Sequence, residues 1–293
     1  MGVMLAPDHL AERLLPWFDA QGRTELPWRR PGTTAWGVLV SEVMSQQTQV
    51  ARAAPVWEAW MERWPTPADL AEAPTSEVLR AWGRMGYPRR ALRLQECARI
   101  LAEEHGGVVP SDPVELEKLP GIGVYTAAAV AVFHYGRRHP VVDTNVRRVV
   151  ARLGGEADAG TATTKADLAA AEALLPAEAE TAARVSVALM ELGALVCTAR
   201  KAECGSCPVS DVCGFSGREV PAGPSRKRQR YQGTNRHVRG EIMAVLREAD
   251  GPVGRDRIDA VWPDRRMVDE AVAQLVADGL VGTDEEGRFE LPT

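Results

Sequence analysis

Residues 111 to 126 read Ser111-Asp112-Pro113-Val114-Glu115-Leu116-Glu117-Lys118-Leu119-Pro120-Gly121-Ile122-Gly123-Val124-Tyr125-Thr126, and an Ala/Val run carries the chain on to Tyr135. Asp112 suits a helix N-cap, Pro113 the first helical position and Glu115 the reciprocal cap, so a short helix is expected to end at Lys118. Leu119 to Gly123 then forms a tight connection into a second helix, Val124 to Tyr135. The glycines Gly121 and Gly123 let the backbone come close to a ligand, with N–H groups pointing outward from a helix start, which suits a phosphate. Leu119 and Ile122 would pin the two helices together. A Gly-rich helix–helix turn without any ligand has the same pattern, so the turn by itself fixes the helical hairpin and leaves its use open.

Outward from this hairpin the pattern stays helical, from Asp8 to about Cys213. Apolar residues recur at helical spacing, and breaks fall at Leu26-Pro27, Trp64-Pro65-Thr66-Pro67, Gly83 to Pro88 and Val109-Pro110. Lys165 to Leu175 is expected as a further helix, and no fixed-period repeat emerges. A mainly α fold follows. The 293 residues suffice for about two domains. With 45% hydrophobic and 26% charged residues and a mean hydropathy of -0.20, the chain is neither disordered nor fibrous. The net charge of -5 argues against a uniformly basic coat and permits a local basic surface. Residues 1 to 20 lack the pattern of a signal peptide, so a cytoplasmic location is expected. The uncharged stretch Leu119 to Gly136 is interrupted by Pro120 and three glycines and reads as a buried helix, with no membrane span.

Two carboxylates stand in contrasting settings. Glu42 lies within Trp36-Gly37-Val38-Leu39-Val40-Ser41-Glu42-Val43-Met44, where desolvation would raise its pKa and keep it protonated, as a general acid requires. Asp143 follows the apolar Val141-Val142 and opens a helix from Val146 to Arg152, with Asn145 or Thr144 able to share the capping. Helix N–H groups with Arg147 and Arg148 are expected to keep Asp143 ionised. Such a pair could protonate a leaving group while stabilising an oxocarbenium ion. A half-buried glutamate and an ordinary capping aspartate would look alike in sequence.

Four of the five cysteines share one window, Cys197-x6-Cys204-x2-Cys207-x5-Cys213, and Cys97 stands alone in a helical stretch. In a cytoplasmic chain this clustering points to metal, with no disulfide needed. A single Cys-x-x-Cys knuckle favours a [4Fe-4S] cluster over a zinc ribbon, although the same thiols could hold zinc.

Past the cysteines the composition changes. Between Gly217 and Gly240 stand Arg218, Arg226, Lys227, Arg228, Arg230, Arg236 and Arg239 against the lone acid Glu219. That net +6 leaves about -11 on the rest of the chain and marks residues 217–235 as a basic linker. Amphipathic helices are expected over Arg236 to Ala249 and Arg265 to Asp278, with a shorter one around Asp256 to Val261. A small hairpin over Leu280 to Leu291 should turn at Glu286-Gly287. Three helices and a two-stranded wing suggest a winged-helix-like module over 236–293, and a small helical cap without its own function has the same signature.

Taken together, these segments resemble the helix-hairpin-helix DNA glycosylases with a C-terminal iron–sulfur loop, most closely the MutY-type adenine DNA glycosylases. The matching segments are Leu26-Pro27-Trp28-Arg29, Ser41 to Met44 with Gln46 to Val50, Gly83 to Tyr87, Leu119 to Thr126, Val142 to Arg148, and Glu191 to Cys197 onward. They run in family order across about residues 8 to 215. The resemblance implies a two-lobed glycosylase domain over 1–216 around a DNA groove. A six-helix-barrel lobe would span about 31–150, and a cluster lobe 1–30 and 151–216.

It also implies a monomer acting on double-stranded DNA with an adenine mismatch. The enzyme would flip adenine out of the duplex, typically from opposite 8-oxoguanine, and hydrolyse its N-glycosidic bond, which is unreachable inside the stack. In that scheme Glu42 protonates the adenine ring and helps activate water, and Asp143 stabilises the cationic sugar. Asn145 and Tyr125 complete the pocket, Gln47 fills the gap in the stack, and Trp28 with Arg29 lines the base-binding side. Gly121 and Gly123 hold the DNA backbone, and Cys197, Cys204, Cys207 and Cys213 bind the cluster.

Endonuclease III-like members look to carry lysine where this chain has Tyr125, because strand cleavage needs an amine for a Schiff base. No lysine lies between Val124 and Tyr135, so a monofunctional enzyme is expected. A thymine or uracil mismatch glycosylase of the same fold, or a non-catalytic iron–sulfur DNA-binding regulator, are the alternatives. Three departures stand out: Ser45 where many relatives have leucine, Val187 where many have Glu or Gln, and a C-terminal region unlike the larger nudix-like domain that reads 8-oxoguanine.

Overall fold

The computed structural model describes residues 6–157, 160, 162–221 and 231–293. Arg226, Lys227, Arg228 and Arg230 of the expected basic linker lie outside the described residues. In chain order the helices are α1 (Pro7–Gln21), α2 (Ala35–Ser45), α3 (Val50–Arg63), α4 (Pro67–Glu72), α5 (Thr75–Trp82), α6 (Arg89–Glu104), α7 (Pro113–Leu116), α8 (Val124–Phe133), α9 (Thr144–Leu153), α10 (Lys165–Glu172) and α11 (Ala179–Leu195). After the cysteine window come α12 (Asn235–Glu248), α13 (Arg255–Asp259), α14 (Arg265–Ala277), β1 (Gly282–Thr283) and β2 (Phe289–Glu290). The mainly helical fold expected from the sequence is the fold observed. Among the described residues no helix is long and apolar enough to cross a membrane.

The chain forms two compact units, Met1–Glu42 with Val109–Ser225, and Val43–Val108 with Arg226–Thr293. In the first, the apolar faces of α1, α9, α10 and α11 meet in one core that holds Leu10, Leu14, Val146, Val149, Leu189 and Leu192. Each such side chain removed from water contributes roughly 1.5–3 kcal/mol. Cys197, Cys207 and Val212 pack on its edge, so the cysteine window leans on the same core. Helix α8 is apolar nearly all round and buried from Thr126 to Val132.

The hairpin turn forms as the sequence indicates at Asp112, whose side chain accepts from Val114 N at 2.9 Å. Glu115 departs from the expected reciprocal cap and pairs with Lys118 at 2.7 Å, because one turn of helix brings that cation alongside. Leu119 and Ile122 are buried between the helices. Gly121 has φ +79°, which a side chain would strain. Gly123 has ordinary φ and open space around it, and as the N-cap of α8 it leaves the first N–H groups without a side-chain cap.

In the second unit, Trp60 stacks edge-on with Trp64 and Trp82 at ring separations of 4.9 and 5.5 Å. Leu70, Leu79, Leu94 and Leu101 from α4 to α6 are buried with them. Cys97 belongs to this core, and burial pushes its thiol up to about 12, which makes it an inert packing residue. Residues 236–293, expected as a separate module, group with 43–108 in this unit. Within them α12 and α14 bury Val238, Ile242, Leu246, Val268 and Leu275. The strands β1 and β2 pair antiparallel with Gly282 opposite Glu290, and Val253 bridges to Phe289. Asp284 ties the turn between them by accepting from Glu286 N and Arg288 N.

Candidate active site

Glu42 is the charged residue of α2, where Trp36, Val38, Leu39, Val40, Val43 and Met44 are buried around it. Burial pushes its carboxyl from 4.5 up to about 7; a hydrogen bond with Tyr125 and the charge of Arg29 pull the other way, and the charge of Asp143 adds to the rise. Near neutral pH the group is therefore divided between acid and carboxylate, the state a proton donor and acceptor needs. Tyr125 enters from the first turn of α8. Its hydroxyl hydrogen-bonds Glu42 and is held well above its ordinary pKa by burial and by the charges of Glu42 and Asp143, so it stays a neutral phenol. The same hydroxyl approaches Met190 Sδ at 3.7 Å.

Asp143 caps α9 itself. One carboxylate oxygen accepts from Asn145 N at 2.8 Å and Val146 N at 2.7 Å, and the other from Asn145 Nδ2 at 2.7 Å. Thr144 takes no part in this capping, and Asn145 serves as a donor to the cap. Burial still raises the Asp143 pKa above 3.8 overall, against those hydrogen bonds and the charge of Arg148. The helix N–H groups and Arg148 act in the expected direction, favouring the carboxylate, while desolvation sets the direction of the net shift. The Arg147 guanidinium donates elsewhere, to Thr163 Oγ1 at 3.3 Å and Gly160 O at 3.1 Å.

Arg148 ties this cap to the cysteine window. Nη2 donates to Asn145 Oδ1 (2.8 Å) and to Gly193 O (2.6 Å), while Nε donates to Cys197 O (2.7 Å). Gly193 permits the close crossing of α11 over α9, for a Cβ there would lie 2.7 Å from Asn145 Cβ.

Three contributors were missed from sequence: Glu191, Arg23 and Arg152. Glu191, fully buried in α11, accepts from Arg23 Nε and Nη2 at 2.8 Å each and from Arg29 Nη2 at 3.0 Å. Burial pushes its carboxyl up, but the hydrogen bonds and charges of Arg23 and Arg29 outweigh that and hold it low. Glu191 thereby fixes Arg29, which acts on Glu42. The available signal was an acid in the middle of the apolar face Val185 to Leu195. Arg152 is the third, and had no signal apart from its helical position.

The cysteines lie on the loop after α11. Arg152 Nη1 donates to Cys197 Sγ at 3.3 Å, and Cys213 Sγ contacts Arg152 O at 3.3 Å. Burial pushes Cys207 up to about 11, and the charges of Cys197, Cys213 and Cys204 add to that rise, so the four thiols share one electrostatic neighbourhood. Among the described residues no group of three or more His, Cys, Asp or Glu is placed to hold a metal ion. The donor set, four soft thiols on one loop with Arg152 against one of them, fits a thiolate-bound group.

Trp28 and Arg29 occupy a short 3-10 turn, Pro27–Arg29, in the first unit with Glu42, Tyr125, Asp143 and Asn145. Gly121 and Gly123 lie in that unit also. Gln47 belongs to the second unit, exposed on the turn after α2 with φ +53°. Ser45 ends α2, and Val187 packs half-buried against the α1–α11 core.

A helical hairpin whose second helix starts at a glycine without a side-chain cap, beside a desolvated acid poised near neutrality, belongs with DNA base-excision chemistry. The family model of the HhH-GPD superfamily base excision DNA repair proteins matches residues 40–173. The class is thus the helix-hairpin-helix DNA glycosylases. Two solved structures share the fold: a thermostable thymine-DNA glycosylase (TM-score 0.66, 26% identity, 72% of this chain and 96% of that one) and a non-covalent endonuclease III–DNA complex (0.62, 25%, 74% and 97%).

The adenine DNA glycosylase of Mycobacterium tuberculosis is 52% identical over 98% of this chain and 95% of its own length. That of Mycolicibacterium smegmatis is 54% identical over 95% and 94%. The chain belongs to the MutY-type adenine DNA glycosylase family.

Proposed function

We propose that this protein is a monofunctional, monomeric adenine DNA glycosylase of base excision repair, acting on adenine opposite 8-oxoguanine or guanine in double-stranded DNA. The observation that carries the reading is Glu42, raised to about 7 and hydrogen-bonded to Tyr125 in the first unit, in a chain that belongs to the adenine glycosylases. Protonated Glu42 gives its proton to a ring nitrogen of the extruded adenine. The C1′–N bond then breaks, its electron pair leaving with the base, and the sugar becomes an oxocarbenium ion beside the Asp143 carboxylate. Water adds to C1′ while the Glu42 carboxylate takes its proton, and the acid is restored.

Asn145 orients Asp143, and Tyr125 orients Glu42. Arg29 with Trp28 lines the base side, and the N–H groups of Gly121 and Gly123 hold a backbone phosphate. Gln47 fills the vacated stack. Tyr125 in place of an amine leaves no Schiff base, and so no strand cleavage. Cys197, Cys204, Cys207 and Cys213 would hold a [4Fe-4S] cluster, which supplies one-electron redox capacity and takes no part in base release. Residues 217–235 serve as a basic linker, and 236–293 as a winged-helix-like module.

Single-turnover assays on duplexes with adenine opposite 8-oxoguanine or guanine, and with a thymine–guanine pair, test the reading. Adenine release seen only after alkali, lost in Glu42→Gln with DNA affinity kept, is expected. Release of thymine instead would assign the chain to the mismatch thymine enzymes.

A further inference from the structure

Among the described residues, two that are not glycine hold a left-handed backbone: Gln47 (φ 53°) and Tyr87 (φ 48°). Such backbones persist where surrounding contacts over-determine them. One guanidinium fixes both. Arg90 donates through Nη1 to Gln46 O at 2.6 Å, and through Nη2 to Thr48 Oγ1 at 3.0 Å and Gly86 O at 3.1 Å. Its Cζ stands 5.7 Å from the centre of the Tyr87 ring. The side chain proposed to fill the stack and the exposed ring of Tyr87 are therefore held from a single clamp.

A second cation reaches that ring from the C-terminal segment of the same unit. Arg236, in the first turn of α12, places Cζ 5.0 Å from the centre of Tyr87 and 5.7 Å from that of Tyr231. Tyr231 packs on His237, and His237 on Trp262, each at 4.9 Å between ring centres. A Cβ at Gly240 would lie 2.9 Å from the Tyr231 hydroxyl, so the ring rests close against α12 at this glycine. The segment is fastened close by, where Asp278 binds both Arg89 and Arg239, and Arg80 donates to Ala249 O at 3.1 Å.

Arg239 and Arg89 are committed to a carboxylate. Arg236 is exposed and has no carboxylate partner among the described residues. A guanidinium that interacts with rings and no carboxylate keeps N–H donors for a further acceptor. 8-Oxoguanine carries a carbonyl at C8 where guanine has C–H, and an N–H at N7 where guanine has a lone pair, so an acceptor stands at C8 where guanine offers none.

We propose that Arg236 is a specificity-determining residue for the base opposite the extruded adenine: it holds the Tyr87 ring in place and donates to the added carbonyl of 8-oxoguanine. This rests on the adenine-excision reading and on Gln47 occupying the gap. It gives the C-terminal segment of this chain a part in lesion preference.

The test uses the full chain as wild type, Arg236→Ala and Arg236→Lys. Single-turnover adenine release is measured on duplexes with 8-oxoguanine or guanine opposite adenine. Equilibrium binding is measured to the same duplexes carrying a non-hydrolysable 2′-fluoro-adenosine. Arg236→Ala should lower the 8-oxoguanine-to-guanine preference by about 3- to 10-fold, the typical worth of one hydrogen bond, with the guanine duplex little changed. Arg236→Lys should retain part of the preference. An unchanged preference, or equal losses on both duplexes, overturns the proposal while leaving adenine excision standing. A wild-type protein that releases adenine from neither duplex overturns the excision reading, and this proposal with it.

Discussion

Replacing Glu42 with glutamine should make the protein more stable and inactive, with the gain depending on pH. The folded chain raises the Glu42 pKa from 4.5 to about 7 because burial disfavours the carboxylate. At about 1.4 kcal/mol per pKa unit, that difference amounts to roughly 3 kcal/mol. For an acid whose folded pKa lies above its unfolded one, the penalty is absent below pH 4.5, grows between 4.5 and 7, and is complete above 7. Glutamine has no charge to bury. Glu42→Gln should therefore gain about 3 kcal/mol over wild type at pH 8 and less than about 1 kcal/mol at pH 5. Denaturant unfolding of both proteins at the two pH values reads this directly, and any pH-independent effect of the amide cancels between them. A gain at pH 8 no larger than that at pH 5 refutes the account of Glu42 as a desolvated acid.

Three further outcomes follow from the same network. Tyr125→Phe removes a hydrogen bond that lowers the Glu42 pKa, so the alkaline limb of the single-turnover rate profile should move to higher pH; a move to lower pH contradicts the assignment. Arg148→Gln uncouples Asn145 from Cys197 O and loosens the Asp143 cap. Base release should slow by about 10- to 100-fold while duplex affinity, measured by fluorescence anisotropy, changes little. Glu191→Ala strands Arg23 and Arg29 without their buried carboxylate, at a cost of about 3–5 kcal/mol in urea unfolding, and a loss below about 1 kcal/mol would show that the pairing is not structural.

The helical hairpin, the Asp143 cap and the apolar cradle of Glu42 were legible because each is written locally. Capping residues, glycines and the flanking hydrophobes lie within a turn or two of the group they serve. Glu191 was not legible in the same way. Its partners Arg23 and Arg29 stand more than 160 residues away in the chain, and a single acid in an apolar helix announces burial without naming what satisfies it. The direction of the Asp143 shift was hidden for a related reason. Counting nearby N–H groups and arginines leaves out desolvation, which the tertiary packing sets. Arg147 and Arg148 are neighbours in sequence, yet helical rotation sends one to Thr163 and the other to Asn145. The reach of Arg236 to Tyr87 joins segments that no periodicity connects.

Cys97 has a practical consequence. Its side chain is fully buried, while the four loop cysteines are partly exposed, so in the native fold a reagent cannot reach it. An alkylating reagent added to the native protein therefore counts the loop sulfurs against a silent background. Labelling approaches four per chain when Cys197, Cys204, Cys207 and Cys213 are free and falls toward none when they are ligated. The fifth label appears only on unfolding, so one mass spectrum taken before and after denaturant reports both the loading of the loop and the integrity of the core around α6.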